Sequence, residues 1–149
     1  MAHTSNIAVL NGPNLNMLGM REPDIYGHNT LADIEAKCRL LAEERDLGID
    51  WFQSNLEGDL IDKIQAVAGS ADWIIINAAG LTHTSVALRD ALALFAGGVI
   101  EVHLSNIHAR ESFRHTSLIS AVAKGVIAGF GTASYYMAID AISYLQLET

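Results

Sequence analysis

Three short stretches of the sequence carry side chains that could bind and transform a small molecule. They are residues 11–14, 77–83 and 101–105, in which asparagine and histidine recur, and each follows an apolar run. Arg110 and Arg114 come soon after the third stretch. Amides and guanidinium groups donate hydrogen bonds to anions, and histidine can exchange a proton near neutral pH. If the stretches converge, they predict a cationic pocket for a small anionic substrate, attracted by the local field rather than by the net charge.

A long connection adds further reactive residues. About sixteen irregular residues separate the first apolar run from the helical pattern that begins at Thr30, whereas a strand-to-helix connection needs roughly 2–6. The connection contains Arg21 and Tyr26, and its leucine, methionine and isoleucine side chains argue against disorder. We expect a lid or a binding loop, with a long connection of no function as the alternative.

Hydrophobic periodicity predicts five strands that alternate with helices. The strands are expected near residues 7–10, 49–54, 73–76, 99–103 and 126–130. The helices are expected near residues 30–46, 57–68, 84–95 and 133–145, with a short helical turn near 117–123. Thr30 and Asp33 predict a capping box, and Gly48 is expected to end the first long helix.

This alternation predicts one α/β domain over residues 1–149. Right-handed crossovers favour a flavodoxin-like, five-stranded parallel sheet of order 2-1-3-4-5 with helices on both faces. In such a sheet, ligands bind at the carboxyl ends of the strands, beside the reversal point between strands one and three. The three polar stretches fall at that edge, so we expect them to form one crevice.

Composition narrows the possible partners. A net charge of −8 and a pI near 5.0 argue against nucleic-acid binding, which needs a basic face. Charged residues are only 17% of the 149-residue chain and hydrophobic residues 50%, which favours a homo-oligomer that covers apolar surface. The lone Cys38 is expected to be a buried hydrophobe without a disulfide. No secretory pattern and no membrane-length apolar run is found, so a cytoplasmic protein is expected.

Four blocks of sequence, in the same order over nearly the whole chain, resemble the type II 3-dehydroquinate dehydratases. They are LNGPNL at residues 10–15, REPDIYG at 21–27, NAAGLTHTS at 77–85, and EVHLSN with the following RESFR at 101–114. Four multi-residue blocks are a far more specific signal than one short motif. The resemblance implies a hydro-lyase that removes water from 3-dehydroquinate to give 3-dehydroshikimate. It also implies a dodecamer of four trimers, with no metal and no organic cofactor.

The resemblance assigns catalytic roles to five positions. Tyr26 is implied as the base that removes a proton next to the ketone, with Arg21 as the cation that favours its ionised form. Asn14 is implied to stabilise the enolate, through an ordered water. His103 is implied as the general acid, and Glu101, on the same strand face, is expected to hold its tautomer.

Binding roles follow from the same blocks. Asn77, with the backbone N–H groups of Leu104 and Ser105, is expected to bind the substrate carboxylate and a neighbouring hydroxyl. His83 and Arg114 are expected to bind the other ring hydroxyls, and Arg110 to complete the charge of the site. Asp90 matches a residue that reaches the neighbouring subunit's site.

Other functions are less well supported. A flavin or nucleotide module is suggested only by Gly129 and Gly131, because Ser134 replaces the third glycine and the match lies at the last strand. A hydrolase using Ser85 and His83 lacks a nucleophile elbow.

Two further alternatives lack the groups that their chemistry needs. A Schiff-base dehydratase requires a lysine in the crevice, and the three lysines fall on or beside helices instead: Lys37, Lys63 and Lys124. A receiver-like signalling domain would need carboxylates for magnesium, where this chain has asparagines.

Overall fold

The core of the molecule is a sheet of five parallel strands. The computed structural model describes residues 4–20, 23–26 and 28–148, and for residues 25 and 26 it describes the backbone alone. The strands are β1 (Asn6–Asn11), β2 (Gly48–Gln53), β3 (Trp73–Asn77), β4 (Gly98–His103) and β5 (Gly125–Ala128). Their order is β2-β1-β3-β4-β5, so the predicted flavodoxin-like topology is confirmed.

Helices connect the strands and cover both faces of the sheet. They are α1 (Pro23–Tyr26), α2 (Leu31–Glu44), α3 (Glu57–Ala66), α4 (Val86–Leu94) and α5 (Ala133–Leu147). Five 3-10 turns lie in the connections: Leu15–Met17, Ala79–His83, Ile107–Ala109, Ser112–Arg114 and Ser120–Val122. Among the described helices, none has both the length and the apolar character needed to cross a membrane.

The start of α2 is as predicted, but its end is not. The Thr30 side chain accepts from the Asp33 N–H and the Asp33 carboxylate accepts from the Thr30 N–H, which confirms the capping box. Gly48 does not end the helix. Asp46, with φ 55°, takes the left-handed conformation after the last turn. Gly48 instead opens β2, where a Cβ would collide with the side chain of Asn6.

The fifth strand is shorter than its apolar run. It ends at Ala128 because Gly129, with φ 95°, turns the chain out of the sheet. Phe130, which was expected to end that strand, is mostly exposed instead. The predicted helical turn near 117–123 is confirmed, as a 3-10 turn.

Alternate residues of the central strands serve two separate cores. Ile7, Val9 and Ile75 pack with α2 and α5, whereas Leu10 and Ile76 pack with α3 and α4. This division follows from the two-residue period of a strand that is covered on both faces. Completely buried side chains of this size each contribute about 1.5–3 kcal/mol to folding.

Cys38 belongs to the core on the α2 side, as predicted. Its side chain is 1% exposed, and burial raises the pKa of its thiol to about 12. A thiol that stays protonated in an apolar core behaves as a small hydrophobe.

The long connection after β1 is partly anchored rather than irregular throughout. Its 3-10 turn buries Leu15 and Leu18 in the core on the α2 side. Before the turn, the Gly12 N–H donates to the Asn77 carbonyl at 2.8 Å. A Cβ on Gly12 would lie 2.5 Å from the Ala78 carbonyl oxygen, so only glycine lets the two backbone segments approach this closely. The ends of β1 and β3 are thereby fixed to each other.

Candidate active site

A cavity of about 130 Å³ opens where β1, β3 and β4 end. It therefore lies at the reversal point of strand order, where this topology binds ligands. Residues that were predicted for the site supply much of its lining: Asn14, Asn77, His83, His103, Leu104, Ser105, Arg110 and Arg114. Apolar and small residues complete the wall: Pro13, Leu15, Leu18, Ala79, Gly80 and Ile107.

His103, which lines this cavity, forms a buried pair with Glu101, which does not line it. His103 Nε2 lies 2.5 Å from Glu101 Oε2, and the two side chains project from the same face of β4 because they are two residues apart. Glu101 is 1% exposed and His103 is 5% exposed. An ionised carboxylate only accepts hydrogen bonds, so Nε2 carries the proton and Nδ1 is the nitrogen left for a ligand.

Two serines hold the other side of the Glu101 carboxylate. Ser117 Oγ donates to both carboxylate oxygens, at 3.0 and 2.9 Å, and Ser120 Oγ donates to Oε1 at 2.7 Å. Burial alone would raise the pKa of Glu101. The hydrogen bonds from His103, Ser120 and Ser117, together with the histidine charge, outweigh it and lower that pKa below its usual value. Glu101 is thus held as an anion beside His103.

The segment that supplies Ser117 also orients the second histidine of the cavity. His83 Nδ1 lies 2.8 Å from the carbonyl oxygen of Thr116. A carbonyl only accepts, so Nδ1 carries a proton and Nε2 is the ring nitrogen that remains for the cavity. Adjacent residues, Thr116 and Ser117, therefore support both histidines.

Asn77, at the end of β3, is anchored on both sides of its amide. Its Oδ1 accepts from the Ala79 N–H at 3.1 Å, and its Nδ2 donates to the Tyr135 hydroxyl at 3.0 Å. Ala79 has φ 53°, a strained conformation for a residue with a Cβ. The completely buried Tyr135 donates in turn to Asn11 Oδ1 at 2.7 Å. Asn77 therefore has little freedom to rotate.

Asn14 is also held from behind. Its φ of 71° is left-handed, which asparagine tolerates better than most residues. The Asn14 N–H donates to Asn55 Oδ1 at 2.9 Å, and Gln53 Nε2 donates to the same oxygen at 3.2 Å and to the Gly12 carbonyl at 3.2 Å. These bonds fix the backbone that carries Asn14 into the cavity.

Two guanidinium groups supply positive charge at the cavity. Arg114 Nε lies 3.2 Å from one oxygen of Glu111, and Arg110 Nε lies 3.7 Å from the other. The pKa of Glu111 is lowered, first by a backbone hydrogen bond and then by Arg114. Arg110 Nη1 also contacts Ser105 Oγ at 3.5 Å. The two guanidinium groups thus lie on either side of one carboxylate and both line the crevice.

Four predicted site residues are not among those that line this cavity, and one of them, Glu101, acts on it through His103. Asp90 is on α4 with 64% of its side chain exposed, 3.7 Å from Arg89, and does not line the cavity of its own chain. Arg21 lies outside the described residues. Tyr26 ends α1, and its side chain lies outside the described part of the chain.

The residue pair that a hydrolase would need is not formed. Ser85 Oγ donates to Glu57 and accepts from the Leu88 N–H as the cap of α4, while His83 contacts Thr116. The hydroxyl of Ser85 thus serves the junction between α3 and α4.

The alternative chemistries also lack support in the described residues. None of the three lysines lines the cavity, and Lys63 pairs with Asp50 at 2.8 Å. Within the described ranges, no three His, Cys, Asp or Glu side chains are grouped so as to hold a metal ion.

Sequence reasoning missed Ser117, Ser120, Tyr135 and Asn55, which contact site residues from behind. No short motif marks them. Tyr135 and Asn11 are 124 positions apart, and Ser117 is 16 positions from Glu101, so only the packed fold brings these groups together. The predicted parallel sheet could have indicated that α5 packs against it, although not which side chain of α5 reaches the ends of β1 and β3.

Comparisons with known proteins give the family. Residues 5–143 match the model of the family described as Dehydroquinase class II. A 3-dehydroquinate dehydratase of Dinoroseobacter shibae is 57% identical over 137 residues, which cover 92% of this chain and 91% of the relative. A 3-dehydroquinate dehydratase of a Synechococcus strain is 56% identical, with 92% of this chain and 94% of the relative covered. The crystal structure of a type II dehydroquinase from Butyrivibrio crossotus superposes with a TM-score of 0.91 at 42% identity, covering 93% of this chain and 97% of the other. The chain therefore belongs to the class II dehydroquinase family.

Proposed function

We propose that this chain dehydrates 3-dehydroquinate to 3-dehydroshikimate, as a hydro-lyase of the shikimate pathway. Family membership supports the substrate, and relatives named 3-dehydroquinate dehydratase are aligned over more than nine tenths of the chain. The observation that carries the chemistry is the buried pair of His103 and Glu101, of which His103 lines the cavity. It combines a proton carrier with a fixed negative charge where a leaving hydroxyl must be protonated.

The first step is the removal of a proton from the carbon next to the ketone, and we assign it to Tyr26. A phenol has a pKa of about 10, so it needs a nearby cation to act as a base at neutral pH. Arg21, five residues earlier, is the proposed cation. Lowering the pKa by two to three units requires roughly 3–4 kcal/mol. A charge at about 4 Å in a partly shielded site supplies about 4 kcal/mol, which is sufficient.

The enolate formed in that step needs hydrogen-bond donors that are already aimed at its oxygen. We assign this role to the Asn14 side chain, acting through an ordered water. The support is local: Asn14 lines the cavity, and its strained backbone is held by Asn55. A donor held in this way needs little reorganisation when charge develops.

The second step expels the hydroxyl from the ring carbon next to the deprotonated one, and a proton must reach the leaving oxygen. We assign this proton to His103 Nδ1, since Nε2 is bound to Glu101. The electron pair of the enolate then forms the conjugated double bond as the C–O bond breaks and water leaves. A general acid of this kind contributes about 10²–10⁴ to the rate, and Glu101 accepts from Nε2, which leaves Nδ1 for the leaving oxygen.

The remaining cavity residues bind the substrate in this proposal. The Asn77 amide and the backbone N–H groups of Leu104 and Ser105 bind the carboxylate. His83 and Arg114 bind ring hydroxyls, and Arg110 adds positive charge. All six line the cavity, and the guanidinium groups suit an anion entering an acidic protein.

We also propose a homo-oligomer, namely a dodecamer of four trimers, in which Asp90 reaches a neighbouring subunit's site. Asp90 and Leu94 are exposed on one face of α4, and Leu94 is 81% exposed. Large apolar groups are exposed elsewhere as well: Met20, Phe113, Phe130, Tyr144 and Leu147. Light scattering of the purified protein should give a mass near twelve chains. A monomeric mass would refute this proposal.

Shared sites make a further test possible. Asp90→Ala and His103→Ala chains should each be nearly inactive alone, and co-expression should restore activity where one subunit supplies each missing group. No restoration in mixed oligomers would remove Asp90 from the site.

We place the enzyme in the cytoplasm with its soluble substrate, and cell fractionation followed by the activity assay tests this.

The direct test of the function is an ultraviolet assay for the conjugated enone of 3-dehydroshikimate. The wild-type chain should turn over 3-dehydroquinate, and turnover should be insensitive to EDTA. Tyr26→Phe and His103→Ala should abolish turnover while the substrate still binds. No turnover by correctly assembled wild-type protein would refute the function, and lost binding in both variants would reduce the two residues to positioning roles.

A further inference from the structure

We propose that Tyr135 is a positioning residue of the active site: its hydroxyl fixes the Asn77 amide so that an N–H, rather than the carbonyl oxygen, is presented to the ligand. This inference rests on the proposed function in one respect, the assignment of the substrate carboxylate to Asn77. Tyr135 itself does not line the cavity. It lies in α5, completely buried behind the ends of β1 and β3.

The direction of the hydrogen bonds is determined at the β1 end by a backbone carbonyl. Asn11 Nδ2 lies 3.1 Å from the Phe52 carbonyl oxygen, which can only accept. Asn11 Oδ1 must therefore face the other way, and it accepts from the Tyr135 hydroxyl at 2.7 Å. Burial raises the pKa of Tyr135, so the phenol keeps the proton that it donates.

The same direction is found at the β3 end, where the Ala79 N–H can only donate. With its proton committed to Asn11, the Tyr135 oxygen can only accept, and it accepts from Asn77 Nδ2 at 3.0 Å. The carbonyl oxygen of the Asn77 amide then accepts from the Ala79 N–H at 3.1 Å. The oxygen and nitrogen of a side-chain amide can often exchange places with little loss of hydrogen bonding. Here, that exchange in Asn11 would place its oxygen against the Phe52 carbonyl oxygen, and in Asn77 it would place the amide nitrogen against the Ala79 N–H.

This arrangement decides what Asn77 offers to a ligand. Its oxygen and one N–H hydrogen are committed to Ala79 and Tyr135, and its second N–H hydrogen has no partner in the described part of the chain. Asn77 lines the cavity, so that hydrogen is available there. A fixed donor suits a carboxylate and disfavours a cationic group. Tyr135 thus acts on the ligand through Asn77 without touching it.

The test is the variant Tyr135→Phe, which keeps the buried ring beside Trp51 and removes only the hydroxyl. Steady-state kinetics with 3-dehydroquinate should show a KM raised roughly tenfold, the usual effect of weakening one hydrogen bond to a charged group. The kcat should change little, because the carboxylate is bound equally in the ground and transition states. KM does not depend on the folded fraction, so lower stability of the variant does not obscure the result.

Two comparisons separate this role from a purely structural one. Tyr136→Phe removes a hydroxyl from the next residue of α5, which is half-buried beside Lys37, and should leave KM unchanged. In an Asn77→Ala background, Tyr135→Phe should cause no further rise in KM, because the group through which it acts is gone. An unchanged KM in Tyr135→Phe, or an additive rise in the double variant, would overturn the proposal.

A crystal structure of Tyr135→Phe gives a readout that needs no activity. The Asn77 side chain should lose its single orientation, and an Asn77 amide that keeps its contact with Ala79 unaltered would count against the proposal. Absence of wild-type turnover together with a displaced Asn77 would refute the proposed function and not the positioning role. If Tyr135→Phe does not fold, Asn11→Ala removes the acceptor that orients the hydroxyl and carries the same expectation for KM and for Asn77.

Discussion

The serines behind Glu101 offer a direct test of how the site keeps that carboxylate charged. Replacing Ser120 with alanine removes the shorter of the serine contacts, 2.7 Å to Oε1, and replacing Ser117 removes the contacts to both oxygens. Neither serine lines the cavity. Ser117 Oγ also accepts from the N–H groups of Ile119 and Ser120, so Ser120→Ala is the substitution that acts on Glu101 alone, and on His103 only through it.

The expected size of the effect follows from the burial of the carboxylate. Glu101 is 1% exposed, and a hydrogen bond to a charged group is worth about 1.5–3 kcal/mol. Loss of one such bond should raise the pKa of Glu101 from its lowered value, because burial then opposes the charged form more strongly. In the intact protein that pKa is lowered, so the stabilisation it provides is fully present above the unfolded value near 4.3 and is lost as the pH falls through the folded value.

The alanine variants should lose this stabilisation at a higher pH than the wild type. Urea unfolding from pH 4 to pH 8 measures it, as a wild-type advantage that is present at pH 7 and shrinks in acid. The acid limb of kcat should move to higher pH in parallel, because Glu101 becomes neutral at a higher pH and a neutral carboxyl is a weaker acceptor for His103 Nε2. The exposed Ser112 provides a matched serine-to-alanine control. Identical pH profiles for the Ser117→Ala, Ser120→Ala double variant and the wild type would refute the reasoning.

Two further substitutions test how the cavity is framed. Gly12→Ala should destabilise the fold by about 1–3 kcal/mol, because its Cβ would lie 2.5 Å from the Ala78 carbonyl oxygen. The control Gly58→Ala, where a Cβ in α3 meets open space, should stabilise the fold by about 0.5–1 kcal/mol. Urea unfolding measures both free energies, and equal effects would contradict the close approach of Gly12 to Ala78. Asn55→Ala should lower kcat about tenfold with a smaller change in KM, because the Asn14 backbone N–H loses its acceptor. Steady-state kinetics measure both constants, and an unchanged kcat would show that Asn14 is held in place without the Asn55 side chain.

The sequence alone predicts the sheet and most of the cavity lining for a physical reason. Apolar runs such as the one in β3 mark strands that are covered on both faces, and parallel strands all end at one edge. Polar residues that directly follow those runs must then meet at that edge. Asn77, His103 and Asn14 were placed together in this way, and the structure brings them to one cavity. Their roles in the reaction are a separate matter, which the proposed variants test.

The boundaries and the supporting residues could not be predicted because they depend on packing. After the last turn of α2, Asp46 adopts a left-handed conformation, which at the end of a helix is most often adopted by glycine. Gly48 is required instead by the side chain of Asn6, a contact between β1 and β2. From the sequence, Tyr135 is expected to be an ordinary core residue of an apolar helix. Only the folded structure shows that its hydroxyl bonds to two amides, Asn11 at the end of β1 and Asn77 at the end of β3.

The predicted and the missed residues differ in their place in the site. The groups that line the cavity follow strands and can be found from the sequence. The groups that orient them come from other elements: Ser117 and Ser120 from the connection before β5, Asn55 from the turn after β2, and Tyr135 from α5. Because each buried partner is hydrogen-bonded, the donors and charges of the cavity are fixed before a ligand arrives, which is when electrostatic stabilisation is most effective. Changes at these supporting positions should therefore alter rate or affinity although none of them contacts the substrate.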